Sequence, residues 1–412
     1  MARLPIAELV EAQRSLKTAQ VAKRSNSDTS ALVRGLAEAA RDCARVSGWT
    51  HNFYRYPARF SPRFANAAIQ LLTMPGDVVF DPYMGGGTSV VEAMALGRHA
   101  VGNDLNSLAV FIAKAKTTPL SDDDVDAVTH WRRNGVPNLK YDASTEGMES
   151  FADEAKTKNL SLPRARFIKK AISIALSSLD SLQTIAARDF VRCVILRVGQ
   201  WALDGRQGHT ALTDFRGRLQ SEAAQMLAAS GFFASRVRAS GGSVSLLNLD
   251  ATSVDTAPVF KNGAQKAALV VTSPPYPGVH VLYHRWQVDG RRETPAPYWI
   301  AGCNDGKGAS YYNFGDRRQG ASDDYFAKSL LTLGSIRRVV RAGGYVVQLL
   351  AFNRPADQLP RYLSNMSAAG FSEVRIRGHE RIWREVPNRK WHASLRGLTE
   401  SAKEVVLIHR AI

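Results

Sequence analysis

The stretch FDPYMGGGTSVVEAMALG, from Phe80 to Gly97, decides the fold. An apolar run ends in an Asp-Pro pair, three glycines follow at 85 to 87, and a helical pattern of small and apolar residues begins near Thr88. Glycines let a backbone approach a ligand closely, and a helix N-terminus offers N–H groups that lack a partner. The stretch therefore predicts a buried strand, a ligand-binding turn and a helix, in that order.

Short apolar runs of the same kind recur along the chain and predict further strands. They span Asp77 to Pro82, His99 to Leu105, Ser243 to Asp250, Ala268 to Pro275 and Gly344 to Phe352. Runs without polar alternation are typical of a parallel sheet that is covered on both faces. The late segments FSEVRIRGHERIW and KEVVLIHRAI predict two more strands with one antiparallel pairing. Because helical patterns alternate with several runs, we predict an α/β fold with a doubly wound, mostly parallel sheet of seven strands.

The same patterns divide the chain into four parts. Residues 1–50 are predicted to hold two basic, mostly surface helices between Pro5 and Arg45, separated by the polar SNSDTS. Residues 51–118 and 241–412 carry the strand patterns, and a helix near Ser61-Pro62 precedes the first of them. Between them, residues 119–240 lose the strand rhythm and show helical periodicity. We predict a helical insertion there that serves for target recognition, for dimerisation or as a brace for the sheet.

The charge of the chain favours a polyanionic partner. Lys and Arg number 54 against 37 Asp and Glu in 412 residues, which gives a formal charge of +17. A surplus of this size is typical of proteins that bind nucleic acid. Charge and aromatic residues do not distinguish the sugar, so both DNA and RNA stay open at this point.

Cysteine spacing and hydropathy narrow the class of protein. Cys43, Cys193 and Cys303 lie far apart without a CxxC pair, so neither a zinc site nor a disulfide framework is predicted. The N-terminal MARLPIAELVEAQRSLK has charges throughout and does not resemble a signal peptide. No run approaches the length of about 20 apolar residues that a membrane span needs. We expect a cytoplasmic protein with no metal.

The details of the glycine-rich turn discriminate between possible ligands. Thr88 follows the glycines where a Walker loop would carry a lysine, and the GxGxxG spacing of dinucleotide-binding turns is absent. Asp81 would repel a pyrophosphate, but it suits an ammonium or a sulfonium group. Asp104 ends the next strand, where a carboxylate can accept both hydroxyls of a ribose, and Asp250 ends a third strand. These features predict S-adenosylmethionine, although the turn by itself is also compatible with a plain strand-to-helix connection.

The second motif is VVTSPPY, in which a buried strand runs into Ser273, Pro274, Pro275 and Tyr276. Open α/β sheets bind their ligands at the carboxyl ends of the strands, where this turn lies. The Pro274 carbonyl and the Ser273 hydroxyl can both accept hydrogen bonds from a substrate amino group, and Tyr276 can stack on a base. A base within a duplex cannot reach such a turn, so it would have to flip out. The alternative for this motif is a loop whose aromatic ring packs on proline.

FDPYMGGGTS with VGNDLN, and VVTSPPY, resemble the cofactor-binding and catalytic motifs of the amino DNA methyltransferases, which produce N4-methylcytosine and N6-methyladenine. The segment HNFYRYPARFSPRFANAAIQ resembles the one that closes over the methionine end of the cofactor in this family. The resemblance covers about residues 50 to 118 and 243 to 412. It implies a class I, Rossmann-like methyltransferase fold. The Thr-Ser-Pro-Pro-Tyr form matches the branch that modifies cytosine N4.

Carried over residue by residue, the resemblance assigns roles within the motifs. It implies that Asp81 and the glycines hold the methionine portion, Asp104 the ribose, and Asp250 the adenine edge. The catalytic residues would be Ser273, Pro274, Pro275 and Tyr276. The cofactor-binding residues would be Tyr56, Phe60, Asp81, Pro82, Tyr83, Gly85, Gly87, Thr88, Asp104, Leu105, Asp250 and Ala251.

Two segments rich in arginine and aromatic residues are candidates for contact with DNA. One follows the Ser-Pro-Pro-Tyr turn, and the other, ERIWREVPNRKWHASLRG, lies near the C-terminus. Aromatic rings stack on bases while arginines contact phosphates or guanine edges, although such rings also fill protein cores. The candidate residues are Tyr283, His284, Arg285, Arg291, Arg292, Arg389, Lys390 and Trp391.

The sequence thus predicts a site-specific DNA methyltransferase that uses S-adenosylmethionine and acts on the N4 amino group of a flipped cytosine in double-stranded DNA. The resemblance also suggests a protein of a prokaryote or phage that is associated with the nucleoid and has a cognate restriction endonuclease as partner. We expect the methyltransferase itself to be a monomer or a homodimer. Adenine N6 and cytosine C5 methylation are the alternatives, the latter because Cys303 could supply a thiolate. A non-catalytic DNA-binding regulator with the same fold is a more distant one.

Overall fold

The structure is a computed structural model. It describes residues 26–42, 46–55, 61–141, 155–163, 165–205, 210–261, 266–277, 285–288, 292–306, 314, 321–375, 380–385 and 403–412, with the backbone alone at 26–30, 321 and 322.

An eight-stranded sheet forms the centre of the molecule, and a separate two-stranded hairpin lies beside it. The sheet contains β1 (Val78–Asp81), β2 (His99–Asn103), β3 (Ser243–Leu247), β4 (Ala267–Thr272), β7 (Val340–Leu350), β8 (Phe371–Glu373), β9 (Ile382–Glu385) and β10 (Lys403–Ala411). The hairpin contains β5 (Trp286–Val288) and β6 (Arg292–Thr294).

The strand order is β3-β2-β1-β4-β7-β10-β8, and the pairs from β3 through β7 are parallel. β10 runs antiparallel to β7 on one side and to both β8 and β9 on the other. Each predicted strand is present with slightly different ends. Because parallel strands end at one edge of a sheet, the order places the ends of β1, β2, β3 and β4 side by side.

The strand count corrects one detail of the sequence prediction. FSEVRIRGHERIW was predicted to be one strand, but it contains two short ones, β8 and β9. His409 to Ala411 pair with β8, while Lys403 to Val406 pair with β9, so the two short strands share the far edge of β10. The edge position beyond β10 is thus filled twice, and β10 makes three antiparallel pairings instead of the one predicted.

Helices cover both faces of the sheet and build the insertion. They are α1 (Asn26–Arg41), α2 (Pro62–Leu72), α3 (Thr88–Ala95), α4 (Ser107–Thr117), α5 (Asp122–His130), α6 (Arg166–Ser177), α7 (Ile185–Leu203), α8 (Leu212–Ser240), α9 (Ala296–Ala301), α10 (Ala321–Val339) and α11 (Pro355–Ala368). One face of the sheet packs on α1, α2 and α3, and the other packs on α10 and α11. This two-sided cover explains why β1 and β4 are buried throughout and are apolar except for their last residues, Asp81 and Thr272.

The first helix differs from its prediction. The SNSDTS segment was expected to separate two surface helices, but α1 begins within it at Asn26. Asn, Ser and Asp are common at helix starts because their side chains can accept from free N–H groups. Leu32, Leu36 and Ala40 are buried in the core that α1 shares with α2, while its other described side chains are exposed or half-buried, so α1 is a surface helix with one buried face. The other predicted N-terminal helix lies outside the described residues.

Local signals set the start of α2 as expected. Ser61 is the N-cap, and its Oγ accepts from the Phe64 N–H. Pro62 occupies the first turn, where a missing N–H costs nothing.

The insertion is helical, as predicted, but it does not form a core of its own. Its helices α5 to α8 share one apolar cluster with α4 and with residues from later in the chain. Trp286 of β5 and Tyr298 of α9 are buried in that cluster, with 1% and 0% of their surfaces exposed. The hairpin and α9, which follow the Ser-Pro-Pro-Tyr turn in sequence, therefore pack into this cluster. We call α4 to α8, together with the cluster that they share, the helical body.

Candidate active site

Asp81 ends β1 and is almost completely buried, with 4% of its surface exposed. One carboxylate oxygen accepts from the Tyr83 N–H at 3.0 Å and from the Thr272 hydroxyl at 2.5 Å. The other accepts from the Ser89 hydroxyl in α3. Asp81 therefore ties the end of β1 to the end of β4 and to the helix after the glycines.

The glycine-rich turn follows directly. Gly85 and Gly87 have φ angles of +48° and +76°, in the left-handed region that side chains disfavour. Gly87 is the N-cap of α3, and a Cβ on it would lie 3.1 Å from the Ala113 Cβ. Asp104, beyond the end of β2, accepts from the Gly85 N–H at 2.9 Å and from the Asn106 N–H at 2.9 Å. The turn is thus held against the carboxylate predicted to bind ribose, while Thr88 begins α3 and Leu105 is half-buried beside Asp104.

Two buried polar residues, Asn103 and Lys116, brace this turn, and the sequence prediction included neither. The Asn103 amide donates to the Pro82 carbonyl at 3.2 Å and to the Leu249 carbonyl at 3.1 Å, so it joins the loops after β1 and β3. The Lys116 ammonium donates to the Gly86 carbonyl at 2.5 Å. Asn103 lies next to Asp104 in a strand-end motif, which is a usable signal. Lys116 is one of several lysines in a helical pattern, so the sequence gives no signal of its role.

Asp250 lies beyond the end of β3, at the same edge of the sheet, with Ala251 buried next to it. One carboxylate oxygen accepts from the Thr252 N–H at 3.0 Å, and the other lies 3.2 Å from the Lys328 ammonium. Burial opposes ionisation of Asp250, but the bonds from Thr252 and the charge of Lys328 outweigh it and lower its pKa. Asp250 is therefore ionised at neutral pH.

Aromatic rings form one wall of this region. The Tyr83 and Phe314 rings meet edge to face with centroids 5.8 Å apart, and Phe314 also contacts the Tyr325 ring at 5.7 Å. The Lys328 ammonium lies 5.3 Å from the centre of the Phe314 ring. Burial holds the pKa of Tyr83 well above its ordinary value, so its phenol stays neutral. Lys328 contacts both Phe314 and Asp250, so these rings lie near Asp250, and the face of an aromatic ring is the contact that an adenine ring requires.

Burial gives two of the acids a titration in the physiological range. It raises the pKa of Asp81 from 3.8 to about 6, against the opposing hydrogen bonds from Ser89, Thr272 and Tyr83. Burial likewise raises the pKa of Asp104 to about 6, against the N–H groups of Asn106 and Gly85. A cationic ligand, or one with hydroxyl donors, would favour the ionised form of both groups.

The Ser-Pro-Pro-Tyr turn follows β4 at the same edge. The Ser273 hydroxyl lies 2.8 Å from the Tyr276 hydroxyl and 3.1 Å from the Leu349 carbonyl of β7. The Pro275 carbonyl accepts from the Tyr325 hydroxyl at 2.9 Å. Within the described part of the chain, no N–H or hydroxyl donates to the Pro274 carbonyl. The turn thus keeps the acceptor that the sequence predicted for a substrate amino group.

The segment before α2 is anchored to both the cofactor region and the helical body. The His51 Nε2 lies 2.7 Å from the Glu92 carboxylate of α3, and both side chains are buried. The Arg55 backbone exchanges two hydrogen bonds with the Gln200 side chain of α7, at 3.1 and 2.9 Å. Tyr56 and Phe60, predicted to contact the cofactor, lie outside the described residues.

The candidates for DNA contact are only partly covered. Arg292 is exposed on β6, while Arg285 forms an ion pair with Asp305 at 2.9 Å. The aromatic residues Trp286 and Tyr298 of the same segment fill the helical core and do not face solvent. The remaining candidates, Tyr283, His284, Arg291, Arg389, Lys390 and Trp391, lie outside the described residues.

Cys303 has the environment of an inert thiol. Its Sγ lies 3.8 Å from the Ser107 carbonyl and 3.6 Å from the Ala301 carbonyl. Burial raises its pKa to about 11, so the thiolate that attack on a cytosine ring requires is scarce at neutral pH. This environment is unfavourable to the cytosine C5 alternative.

The described residues contain neither a metal site nor a membrane-spanning helix. No group of three His, Cys, Asp or Glu side chains in them could hold a metal ion. None of their helices is long and apolar enough to span a bilayer.

The topology and the site together define the class of protein. A parallel sheet in the order β3-β2-β1-β4-β7, with an antiparallel β10 inserted before the edge strand, is the topology of the class I methyltransferases. Acceptors stand at the ends of β1, β2 and β3, where an ammonium group, a ribose and an adenine amino group each need one. The residues present therefore fit S-adenosylmethionine, and the class implies it as the cofactor.

Comparison with known families is more specific. The family model of the N6/N4 DNA methylases matches residues 15–115, which include α1, the glycine-rich turn and Asp104. This part of the chain is similar to the amino DNA methyltransferase family, the family that the sequence motifs resemble. The Ser-Pro-Pro-Tyr turn lies beyond the matched range.

Two curated relatives support the same family. The chain is 40% identical over 74 residues to the type II methyltransferase M.MvaI of Kocuria varians, which is 17% of this chain and 16% of that protein. It is 30% identical over 66 residues to the type II methyltransferase M.MjaII of Methanocaldococcus jannaschii, which is 16% of this chain and 12% of that protein. The similarity thus spans less than a fifth of either relative.

The solved structures that the chain matches have low identities and low TM-scores. TrmN of Thermus thermophilus is 12% identical with a TM-score of 0.34, over 88% of this chain and 52% of that one. The rRNA methyltransferase AviRa of Streptomyces viridochromogenes is 11% identical with a TM-score of 0.35, over 90% of this chain and 96% of that one.

Proposed function

We propose that this protein is a site-specific DNA methyltransferase that transfers a methyl group from S-adenosylmethionine to the N4 amino group of a flipped-out cytosine. The observation that carries the proposal is the hydrogen bond between Thr272 and Asp81, at 2.5 Å. Thr272 immediately precedes Ser273, and Asp81 precedes the glycine-rich turn. A base held by the Ser-Pro-Pro-Tyr turn would therefore lie next to a cofactor held by the glycines.

The residues of the turn suit an amino-group acceptor. Bound cofactor supplies a methyl group on a cationic sulfonium. Ser273 Oγ and the Pro274 carbonyl would each accept one N–H of the substrate amino group, which draws the nitrogen lone pair out of conjugation with the ring. The Tyr276 ring would stack on the base. Because the prolines restrict the backbone, these acceptors are fixed before the base arrives.

Serine at position 273 is the reason to name cytosine. The Thr-Ser-Pro-Pro-Tyr form resembles the cytosine N4 branch of the family, and adenine N6 is the alternative within that family. The buried thiol of Cys303 supports direct transfer to nitrogen over the covalent chemistry of a C5 enzyme.

The excess of positive charge supports a nucleic acid as the substrate, and the similarity to DNA methylases favours double-stranded DNA over RNA. We assign the exposed Arg292 to DNA contact and the helical insertion to target recognition. In this proposal the protein acts on the nucleoid, with or without a cognate endonuclease.

Nucleoside analysis tests the proposal directly. The protein would be expressed in a host that lacks its own DNA methyltransferases, and the DNA would be digested and analysed by mass spectrometry. We expect N4-methylcytosine, because the turn suits an exocyclic amino group and its serine resembles the cytosine N4 branch of the family. N6-methyladenine would overturn the choice of base, and 5-methylcytosine would overturn the direct transfer.

Two serine variants provide the matched comparison. Ser273→Ala removes an acceptor at the reacting group, and we expect the rate to fall about a hundredfold, as for other preorganised hydrogen bonds at a reacting atom. Ser372→Ala, at an exposed position of β8, should leave the rate unchanged. Equal rates for both variants would refute the role of Ser273. Incubation of purified protein with RNA in place of DNA tests the nucleic acid, and methylated RNA alone would overturn the DNA assignment.

A further inference from the structure

An ion pair from the far end of the chain reaches the Ser-Pro-Pro-Tyr turn. Glu404 of β10 and Arg384 of β9 face each other in the antiparallel pairing. The Arg384 Nε and Nη2 lie 2.8 and 2.7 Å from one oxygen of the Glu404 carboxylate. Their side chains are only 13% and 4% exposed. A carboxylate with a guanidinium at this distance is held in its ionised form.

The other oxygen of Glu404 contacts the catalytic turn. It lies 2.7 Å from the Tyr276 hydroxyl, which in turn lies 2.8 Å from the Ser273 hydroxyl. A continuous chain of polar atoms therefore runs from Arg384 through Glu404 and Tyr276 to Ser273. Glu404 is 128 positions away from Tyr276 in sequence and is absent from every motif of the family resemblance.

The number of protons on these groups determines which atom donates in each hydrogen bond between Ser273, Tyr276 and Glu404. A hydroxyl carries one proton, and an ionised carboxylate can only accept. Tyr276 must therefore donate its proton to Glu404. Ser273 then donates its own proton, either to the Leu349 carbonyl at 3.1 Å or to the Tyr276 oxygen. Among the described residues, no other donor reaches Ser273 Oγ, so the lone pairs of this oxygen are left for a substrate N–H.

We propose that Glu404, held ionised by Arg384, is a positioning residue that keeps Ser273 Oγ a hydrogen-bond acceptor for the substrate amino group. This inference rests on the proposed function. Without the carboxylate, Ser273 Oγ, at 2.8 Å, is an acceptor within reach of the Tyr276 proton. The tyrosine would then occupy a lone pair that the substrate amino group needs.

Glu404→Gln should reverse the donor and acceptor in the hydrogen bonds along this series of side chains, with little change in side-chain shape. Arg384 can only donate, so it draws the amide oxygen toward itself and turns the NH₂ group toward Tyr276. The amide then donates to the tyrosine oxygen, which leaves the tyrosine proton to be donated to Ser273 Oγ at 2.8 Å. We expect the methyl-transfer rate to fall about tenfold or more, which corresponds to one misdirected hydrogen bond at the reacting group.

Removal of the tyrosine hydroxyl should rescue this defect. In the double variant Glu404→Gln with Tyr276→Phe, the ring remains but the competing donor is gone, and Ser273 can donate to Leu349. We expect the double variant to be faster than Glu404→Gln and to approach Tyr276→Phe alone. A purely structural role for Glu404 predicts a double variant that is as slow as Glu404→Gln or slower.

The test compares these variants in single-turnover methylation of DNA from a methylase-free host, with radiolabelled cofactor. Glu404→Ala with and without Tyr276→Phe gives a second pair, in which the same rescue is expected. Glu373→Ala is the matched control, because it removes a carboxylate from another Glu–Arg pair, with Arg381 at 2.7 Å, on the same sheet edge. Circular dichroism and cofactor titration check that each variant folds and binds.

The outcomes separate this inference from the proposed function. Rescue by Tyr276→Phe in either pair, with Glu373→Ala at the wild-type rate, supports the role of Glu404. A wild-type protein that methylates DNA but shows no rescue in either pair overturns the inference alone. A wild-type protein that binds cofactor but methylates no amino group overturns the proposed function and the inference with it.

Discussion

The affinity for S-adenosylmethionine should depend on pH through the two acids at the ends of β1 and β2. Burial raises the pKa of Asp81 and of Asp104 from 3.8 to about 6. In the proposed function, S-adenosylmethionine offers a positive charge to Asp81 and hydroxyl donors to Asp104, so it selects the ionised forms of both. Since a raised carboxyl pKa means that the free protein holds these protons up to about pH 6, binding must release them, and affinity falls as the pH falls.

The size of the pH effect on cofactor affinity follows from the pKa values of the two acids. One unit below its pKa a carboxyl group is about one-tenth ionised, so a single obligatory carboxylate weakens binding about tenfold at pH 5 relative to pH 7. If both groups must ionise, the loss is about a hundredfold. At pH 6 each group is half protonated, and binding should release about half a proton per group.

Isothermal titration calorimetry measures both quantities. The dissociation constant would be determined from pH 5 to pH 7, and the proton count from titrations at pH 6 in buffers of different ionisation enthalpy. Asp104→Asn should lower the affinity at pH 7 and make its pH dependence shallower. Asp250→Asn is the internal control, because hydrogen bonds and Lys328 lower the pKa of Asp250, so this group does not titrate in the window.

A dissociation constant that is flat from pH 5 to pH 7, in protein that circular dichroism shows to be folded, would refute this reasoning. An unchanged pH dependence in Asp104→Asn would remove Asp104 from the ribose site.

Two further predictions concern packing and the thiol. A Cβ on Gly102 would lie 2.4 Å from the Met84 sulfur, so Gly102→Ala should lower the free energy of unfolding, measured in urea titrations, by about 1 to 3 kcal/mol. Gly217 of α8 has no atom within 4 Å of such a Cβ, so Gly217→Ala should raise the free energy of unfolding by up to about 1 kcal/mol. Equal effects of the two substitutions would contradict the packing described. Cys303→Ala should leave both the methylated nucleoside and the rate unchanged, because burial holds the thiol protonated, and loss of the product by mass spectrometry would return the thiol to the chemistry.

The parts of the fold that could be predicted from sequence are those with a strong local cause. β1 and β4 are buried on both faces, so their runs are apolar and easy to recognise. Their predicted ends were too long because Pro82, Pro274 and Pro275 lack the N–H that a strand pairing requires. β7 begins four residues before its prediction, since Val340 to Gly343 include an exposed arginine and two small residues that carry no strand pattern.

The cofactor region was predictable for a related reason. Asp81, the glycines and Asp104 lie within one continuous strand-turn-helix-strand segment, so their spacing alone brings them together. Lys328 and Asp250 illustrate what spacing cannot show. Their ion pair depends on how α10 packs over the sheet, and a lysine in an amphipathic helix gives no sign of such a contact.

Aromatic residues were a poor guide to the surface for DNA. Trp286 and Tyr298 follow the Ser-Pro-Pro-Tyr turn among arginines, which suggested stacking on bases, yet both are buried in the helical body. A ring that stacks on a base and one that packs against leucine look the same in sequence, because both uses depend on a flat apolar face. The charged residue Arg292 of the same segment is exposed, so charge was a better guide to exposure here than aromatic character.

The placement of β10 suggests that cofactor binding and catalysis depend on different parts of the chain. The acids of the cofactor region and their partners lie mostly between β1 and the end of β3, with Thr272 and Lys328 as later additions. The Ser-Pro-Pro-Tyr turn has two prolines and few N–H groups of its own, so contacts from β1, β7, α10 and β10 hold it instead. Because Glu404 lies on β10, its contact with Tyr276 forms only when this antiparallel strand is in register with β7. A one-residue slip of β10 would turn Glu404 to the opposite face of the sheet and separate it from Tyr276, while Asp81 and Asp104 kept their places.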